Sequence, residues 1–432
     1  MSYTKIFVEH YKKTSTKRWS TEYTLLKAYD VRVKSAIGSV RNTFSFKVTN
    51  QNDEYSDQFG MNDKILIYVV KDKDTYSTSD LVMTGSIKSF LKQVEGTAEF
   101  ISVKGIDYSE VIMNAITFVS VDNENSMEVL QEAINVVNDR SHSHSTEESF
   151  YIKWNDDNPT TKSDGTAFPV HYNIREYDVS VLSLLEKYLA PEYLDDGNYY
   201  WYVNLNNELV IRKRLAETTE IAGEKVTFTE GNNIYSTKMV VVNDNVRNWV
   251  IWKAGFGPEG KSIQGFLQNS ESINRNGIKP WILLLSTAND IIQKEKKENA
   301  NMSAGSLYPT GYPYTSTFKS SGAYSIDEGG ITISATVGNA VTVDSDAEWN
   351  YAFDREVRFQ GNAKADRFLK LNAKGYIQVE LDIPLTTSYQ VGQVVEYTSP
   401  RYGFNSKQLR VNEVNYNIKG TTLVLKEDEA TI

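Results

Sequence analysis

A glycine stands in the middle of a long strand-like run, DLVMTGSIKSFLKQ (Asp80 to Gln93), and its place constrains the fold more than any other feature. Glycine weakens a strand interior, so it is kept where a strand bends, bulges or meets another backbone. The runs on either side read the same way. In TFSFKVTN, Phe44, Phe46 and Val48 alternate with Ser45, Lys47 and Thr49, a period of two that buries one face. The turn QNDEYSDQFGMND is rich in Asn, Asp and Gly. KILIYVV is apolar on both faces, as in a strand covered on both sides. AEFISVKGIDYSE closes the set, and KIFVEHY with STEYTLLKAYDVRVKS completes it from the first 40 residues. Such a set, with a glycine inside its longest strand, predicts a curling sheet and an antiparallel β-barrel over residues 1–115.

Residues 116–225 change period and predict an α+β connecting domain. In NSMEVLQEAINVVND, Asn125 or Ser126 caps a helix with Met127, Leu130, Ile134 and Val137 on one face. The polar tract from Asp139 to Phe168 reads as a long surface excursion. YDVSVLSLLEKYLAP predicts a second helix, capped by Asp178 and stopped before Pro191, with Leu182, Leu185 and Leu189 as its stripe. NYYWYVNLNNELVIRKR predicts a hairpin turning at Asn206-Asn207. Residues 226–286 supply further strands, and residues 287–345 form an irregular inserted region holding the charged helix IIQKEKKEN and the hairpin GGITISATVGNAVTV. Residues 346–432 give a long helix, expected to break near Gly361, and a second β-barrel of four strands. The expected class is therefore mainly β with α+β parts: two antiparallel β-barrels joined by a helix-containing region. The insertions at 140–170 and 287–345 are expected to be peripheral, and no further domain is expected after the last strand.

Composition closes several routes. Cysteine is absent, which removes disulfides, thiolate metal sites and cysteine nucleophiles. The net charge of −10 argues against a general nucleic-acid-binding face, which needs clustered Lys and Arg. MSYTKIFVEHYKKTSTKRW lacks the apolar core of a signal peptide, and WILLL is far short of the ~20 residues that span a bilayer. A soluble protein with no membrane segment is expected. The 27 tyrosines and 7 tryptophans are many; they suit sheet packing and also contact surfaces.

No catalytic pattern emerges. GFGPEGKS, Gly255 to Ser262, fits the phosphate-loop pattern G-x-x-x-x-G-K-[ST]. Pro258 removes an N–H from the would-be nest, Glu259 places a negative charge there, and no clear helix follows. A glycine-rich loop between strands is expected instead. His142 and His144 could flank a metal, but no third ligand is near in sequence, and a solvated loop is the expectation. Asp156-Asp157 and Asp195-Asp196 read as solvated turns. Catalytic, cofactor and metal residues are accordingly none, and no enzyme activity is expected.

The order of these segments resembles the phage tail hub family, the late-control protein D and baseplate-hub proteins related to the base of type VI secretion spikes. Asn62-Asp63 stands at the family's Gly-Asp position in "G-D-x-V-x-I", and Met83-Thr84-Gly85-Ser86-Ile87 matches "F-x-G-x-I" loosely. ISVKGIDYSEVI resembles the "V-x-G-x-D" segment. MVVVNDNVRNWVIWKAG resembles the "N-x-V" strand, and NSESINRNGIKPW the "S-I-x-x-Y-G" turn, with Asn276 in the tyrosine's place. SYQVGQVVEYTSPRYGFNSKQLRVNEVNYNIKGTTLVLKE resembles the terminal barrel. The resemblance covers about three quarters of the chain and lies in the order of motifs that are individually weak. It implies a homotrimer whose paired barrels form a pseudo-sixfold ring around the DNA channel of a tail tip or baseplate. Its implied partners are the tail tube or distal tail adaptor protein, a spike or central fibre protein, and a tape-measure protein. Its implied location is the virion, after assembly in the host cytoplasm. The competing classes are a carbohydrate-binding adhesin using loops such as LYPTGYPY, and a cell-wall hydrolase.

Overall fold

Alternating apolar residues bury one face of a strand and set its register, and the fourth strand obeys this rule throughout. The computed structural model describes residues 4–427 except 15–18, 39–41, 96–97, 143–151, 163, 173, 195–198, 214–225, 233, 259, 299–307, 309–313, 317–323, 329–330, 336–340, 386–388 and 418. The strands are β1 (Thr4–Tyr11), β2 (Thr24–Leu26), β3 (Ala28–Ala36), β4 (Thr43–Thr49), β5 (Lys64–Lys71), β6 (Leu81–Glu95) and β7 (Ala98–Asp107). Phe44, Phe46 and Val48 are buried, and β5 buries Ile65, Ile67, Tyr68, Val69 and Val70 from both faces. The turn after β4 is less polar than its composition suggests, for Tyr55 and Phe59 enter the same core. A Cβ on Gly85 would lie 2.5 Å from the Ile106 carbonyl oxygen and 2.9 Å from the Phe44 ring. Gly105 is tighter still, at 2.1 Å from Phe44 and 2.4 Å from the Ser86 carbonyl oxygen. The bulge of β6 against β7 falls between Ile87 and Ser89. Gly85 therefore admits a ring, and the strand bulges beyond it.

The connecting unit holds α1 (Ser109–Asn114), β8 (Ile116–Val121), β9 (Glu124–Asn125), α2 (Ser126–His142), β10 (Lys153–Trp154), β11 (Val170–His171), β12 (Ile174–Ser180), α3 (Val181–Tyr188), α4 (Pro191–Leu194), β13 (Tyr199–Val203) and β14 (Glu208–Lys213). Asn125 caps α2: its side-chain oxygen accepts from the Met127 and Glu128 amides, and Glu128 answers on the Asn125 amide. Met127, Leu130, Ile134 and Val137 are buried as their spacing predicts. The cap of α3 is Ser180, which accepts from the Ser183 amide, and not Asp178. Asp178 sits at φ 52° inside an irregularity of the β8–β12 pairing. The polar tract is also corrected in part. Ile152 and Phe168 are buried in this unit's core, and Asn158 bonds the Ile211 amide and the Leu209 carbonyl of β14. Isolated apolar residues in a polar stretch carry no period, so their burial was hidden. Residues 143–151, with His144, and 195–198, with Asp195 and Asp196, lie outside the described residues.

The remainder supplies β15 (Val226–Thr229), β16 (Ser236–Val242), β17 (Trp249–Phe256), β18 (Ser262–Gln268), α5 (Ser270–Asn276), β19 (Pro280–Leu284) and α6 (Thr287–Glu298). Then come β20 (Tyr314–Ser316), β21 (Tyr324–Glu328), β22 (Ile331–Ala335), β23 (Val341–Val343), α7 (Asp346–Asn372), β24 (Tyr376–Ile383), β25 (Val394–Ser399), β26 (Phe404–Asn417) and β27 (Gly420–Lys426). The hairpin in the inserted region pairs β21 with β22, while β23 pairs β20. The insertion is not wholly peripheral: Ala288, Ile291 and Ile292 of α6 enter a third core, and Tyr308 packs edge-on against Trp349 at 6.1 Å. Most of LYPTGYPY lies outside the described residues. α7 runs 27 residues without a break. A Cβ on Gly361 would meet the Trp252 ring at 2.7 Å, so this glycine makes room for a neighbour and does not end the helix.

Two separate barrels are not what the strands form. They join one 13-stranded sheet, ordered β16-β24-β27-β26-β3-β4-β7-β6-β5-β1-β2, with β15 and β25 branching from β26. The 14-residue β26 explains the junction. Its first half pairs β25, and its second half lies between β27 and β3. An edge that a barrel would close on itself is thus taken by the other half of the chain. β15 and β25 pair in parallel, so the sheet is mixed.

Candidate functional site

Asn62-Asp63, which sequence placed at a family motif, is a buried and well-bonded polar centre of the first unit. Asp63 is 1% exposed. One carboxylate oxygen accepts from the Gly60 amide at 2.6 Å and from His10 Nε2 at 2.8 Å. The other accepts from the Lys13 amide at 2.7 Å. Asn62, at φ 65°, exchanges backbone bonds with Ile87 through itself and Asp63, and its carbonyl accepts from Trp19 Nε1 at 3.0 Å. Asn tolerates that left-handed turn better than most residues. The motif fastens β1, β6 and the turn together, and its carboxylate has no access for a substrate.

Three further buried polar groups stand out, and of their residues sequence had named only Ser126, as a candidate helix cap, and Asp107, within a family motif. Glu9, on β1, accepts from the hydroxyls of Tyr11 (2.9 Å), Tyr68 (3.1 Å) and Tyr76 (2.8 Å). Burial first, and then this carboxylate, pushes the Tyr11 and Tyr68 hydroxyls far above their ordinary range. Ser126 Oγ and His171 Nε2 lie 2.9 Å apart, a separation that suits a nucleophile and its base. Ser126 is fully buried, however, and the Tyr188 and Tyr193 rings stand 5.6 and 5.7 Å from the imidazole. Burial, with Lys364 and Lys187 nearby, pulls the His171 pKa down to about 4. A neutral, sealed pair of this kind joins α2 to β11. Asp107, the last residue of "V-x-G-x-D", is held by Asn42 Nδ2 at 2.5 Å and by the Ser109 amide at 3.0 Å. Burial outweighs those bonds and raises its pKa to about 6. No periodicity announces Glu9 or His171, because single polar residues on buried faces give no sequence signal.

The glycine-rich loop connects β17 to β18, so a strand and not a helix follows it. Gly257 and Lys261 close it by a backbone bond of 2.9 Å, which uses an amide that a phosphate nest would need. His142 ends α2, Asp156 and Asp157 are exposed, and no group of three His, Asp or Glu is placed to hold a metal among the described residues. No helix among them is long and apolar enough to cross a membrane.

What the molecule does present is apolar surface on strands. On the outer face of the β18-β17-β19 sheet, Ile251 stands between Phe266 and Ile282 in register, with Leu284 beside Lys253. Phe266, Ile282 and Leu284 are 61%, 54% and 68% exposed. On the β8–β12 ribbon, Ile116, Phe118 and Tyr177 are exposed. β16, an end strand of the large sheet, exposes Val240 and Val241. Apolar surface of this kind, carried by several strands, is the type on which proteins, membranes or ligands dock.

No family model matches the sequence, and neither does any curated protein. Among solved structures the chain is similar to the 43 kDa tail protein of prophage MuSo2 from Shewanella oneidensis. The two are 11% identical, with 98% of this chain and 97% of that one covered at a TM-score of 0.53. It is also similar to the tail protein from Neisseria meningitidis MC58, at 12% identity, 99% and 97% coverage and a TM-score of 0.54. With nearly the whole length of both chains matched in each case, this chain has the fold of phage tail proteins.

Proposed function

We propose that this protein is a structural hub of a phage tail tip or baseplate. It forms a homotrimer whose two sheet halves per subunit make a pseudo-sixfold ring around the DNA channel. One face docks on the tail tube or its adaptor, and the other carries a spike or central fibre; a tape-measure protein is a further partner. The work is mechanical, without catalysis, and the assembled protein resides in the virion after assembly in the host cytoplasm. The observation that carries this reading is the continuous sheet splicing both halves at β26 and β3, with end strands β2 and β16. An open end strand can pair with another chain, and head-to-tail contacts through unlike edges close into a ring when the rotation between subunits allows it. The exposed apolar strands and the acidic balance fit a ring that binds protein and repels nucleic acid. Mass measurement of the purified protein, with light scattering across a concentration series, tests it. A trimer mass that falls when Val241→Glu disrupts β16 is expected. A monomer at every concentration, in the presence of tail-tube protein, overturns it.

A further inference from the structure

A cavity of about 410 Å³ opens where the first unit, the β13–β14 hairpin and the C-terminal strands meet. Asn42, Thr84, Asp107 and Tyr108 line it from the first unit, Tyr202 from the hairpin and Tyr416 from β26. Its chemistry is one-sided. Among the described residues the Asp107 carboxylate takes hydrogen bonds only from the uncharged Asn42 and Ser109, and the charge that acts on it is that of Glu110, another acid. Glu110 is itself paired with Lys88. Thr84 Oγ1 is fully buried and has no hydrogen-bond partner. Arg410, whose guanidinium stacks over the Tyr200 ring, is held by the Tyr200 hydroxyl at 3.1 Å and the Gly392 carbonyl at 2.7 Å, and does not line the space.

An anion is repelled by such a cavity. A purely apolar guest would leave the carboxylate without counter-charge and Thr84 without a bond, which is costly in a buried place. An ammonium on an apolar stem meets every demand: positive charge, up to three donors, attraction to tyrosine rings, and methylenes for Leu81 and Val414. We propose that this cavity binds an alkylammonium group, with Asp107 and Thr84 as its acceptors and the tyrosines as its walls. The group comes either from a free polyamine or from a lysine side chain of a neighbouring subunit.

Calorimetry on the full chain at pH 8 separates these sources, with butane-1,4-diamine as one probe and Nα-acetyl-lysine methylamide as the other. Butane-1,4-diol is the uncharged control of the same length. Saturable binding of either amine is expected, the diol and the Asp107→Asn variant being weaker by roughly 10- to 100-fold, the loss of one buried charged hydrogen bond. Tighter binding of the diamine assigns a free amine, and tighter binding of the lysine derivative assigns a neighbour's side chain. The proposal is overturned if neither amine binds, if the diol binds as tightly as the diamine, or if natively folded Asp107→Asn binds unchanged. Should Asp107→Asn not fold, the diol comparison and Thr84→Val, expected to weaken the diamine, decide in its place.

Discussion

Two regions of this molecule solve one packing problem in opposite ways. In the large sheet, Phe44 lies over Gly85 and Gly105, two glycines on neighbouring strands. In the smaller α/β region, Trp252 of β17 is clasped between Gly265 on β18 and Gly361 on α7. Both rings are almost wholly buried, and each needs a missing Cβ on either side. The difference lies in what else would be struck. At Gly105 the obstacles include the Ser86 backbone carbonyl, whereas at Gly361 the three nearest atoms all belong to the Trp252 ring. Backbone cannot yield without breaking the ladder; a side chain can be replaced. The first device is therefore fixed by the sheet itself and the second by a pair of residues.

The largest expected effect is from Gly105→Ala, which sets a methyl against both ring and backbone. A loss at the upper end of overpacking costs, about 3 kcal/mol or more, should appear in urea unfolding. Adding Phe44→Leu should not restore it, and recovery in the double variant would erase the distinction just drawn. Gly361→Ala comes next. In an open helix this change would stabilise by up to about 1 kcal/mol, yet here it should destabilise by roughly 1–3 kcal/mol. In the Gly361→Ala/Trp252→Leu double variant the two costs should fail to add, with a coupling of about 1 kcal/mol or more by denaturant titration.

Asp107 gives a pH-dependent contrast within the large sheet. Its folded pKa of about 6 lies above the unfolded value, so burial favours the protonated form. Stability from this residue is present below pH 4 and is lost as pH rises towards 6, by on the order of 3 kcal/mol. Asp107→Asn should flatten that segment of the stability–pH curve; an unaltered curve would show that the carboxylate is not the group responsible. The smallest effect belongs to the tip of the β17–β18 hairpin. Lys261→Ala should leave the unfolding midpoint within about 0.5 kcal/mol, and calorimetry with ATP should register no saturable heat before or after the change.

Sequence revealed what repeats and concealed what is singular. The period of two in β4 and the helical spacing of Met127, Leu130, Ile134 and Val137 each involve several residues agreeing on one face, so both were legible. Gly361 was misread as a helix break because its reason lies in Trp252, more than a hundred positions away. Ile152 and Phe168 were passed over since neither has an apolar neighbour at a regular interval. The choice between Asp178 and Ser180 as a cap turned on a backbone irregularity that no residue type announces. Pairing of β26 with β3 was the largest omission. Composition tells which residues make strands and is silent on which distant edge they will meet. The candidate surfaces fared likewise: an exposed Ile282 and a buried Leu283 read alike in WILLL, and only the neighbouring strands tell them apart.

The splice at β26 also bears on how the protein is made. Ala36 to Arg32 of β3 face Glu413 to Asn417, so a strand of the first unit waits for one that is translated long after it. While the ribosome is still working, the first unit carries an unfilled edge beside β3, open to pairing with a second nascent copy. Contacts this far apart in sequence form slowly. The large sheet is thus whole only after β26 has been translated, and until then every copy carries the same open strand edge.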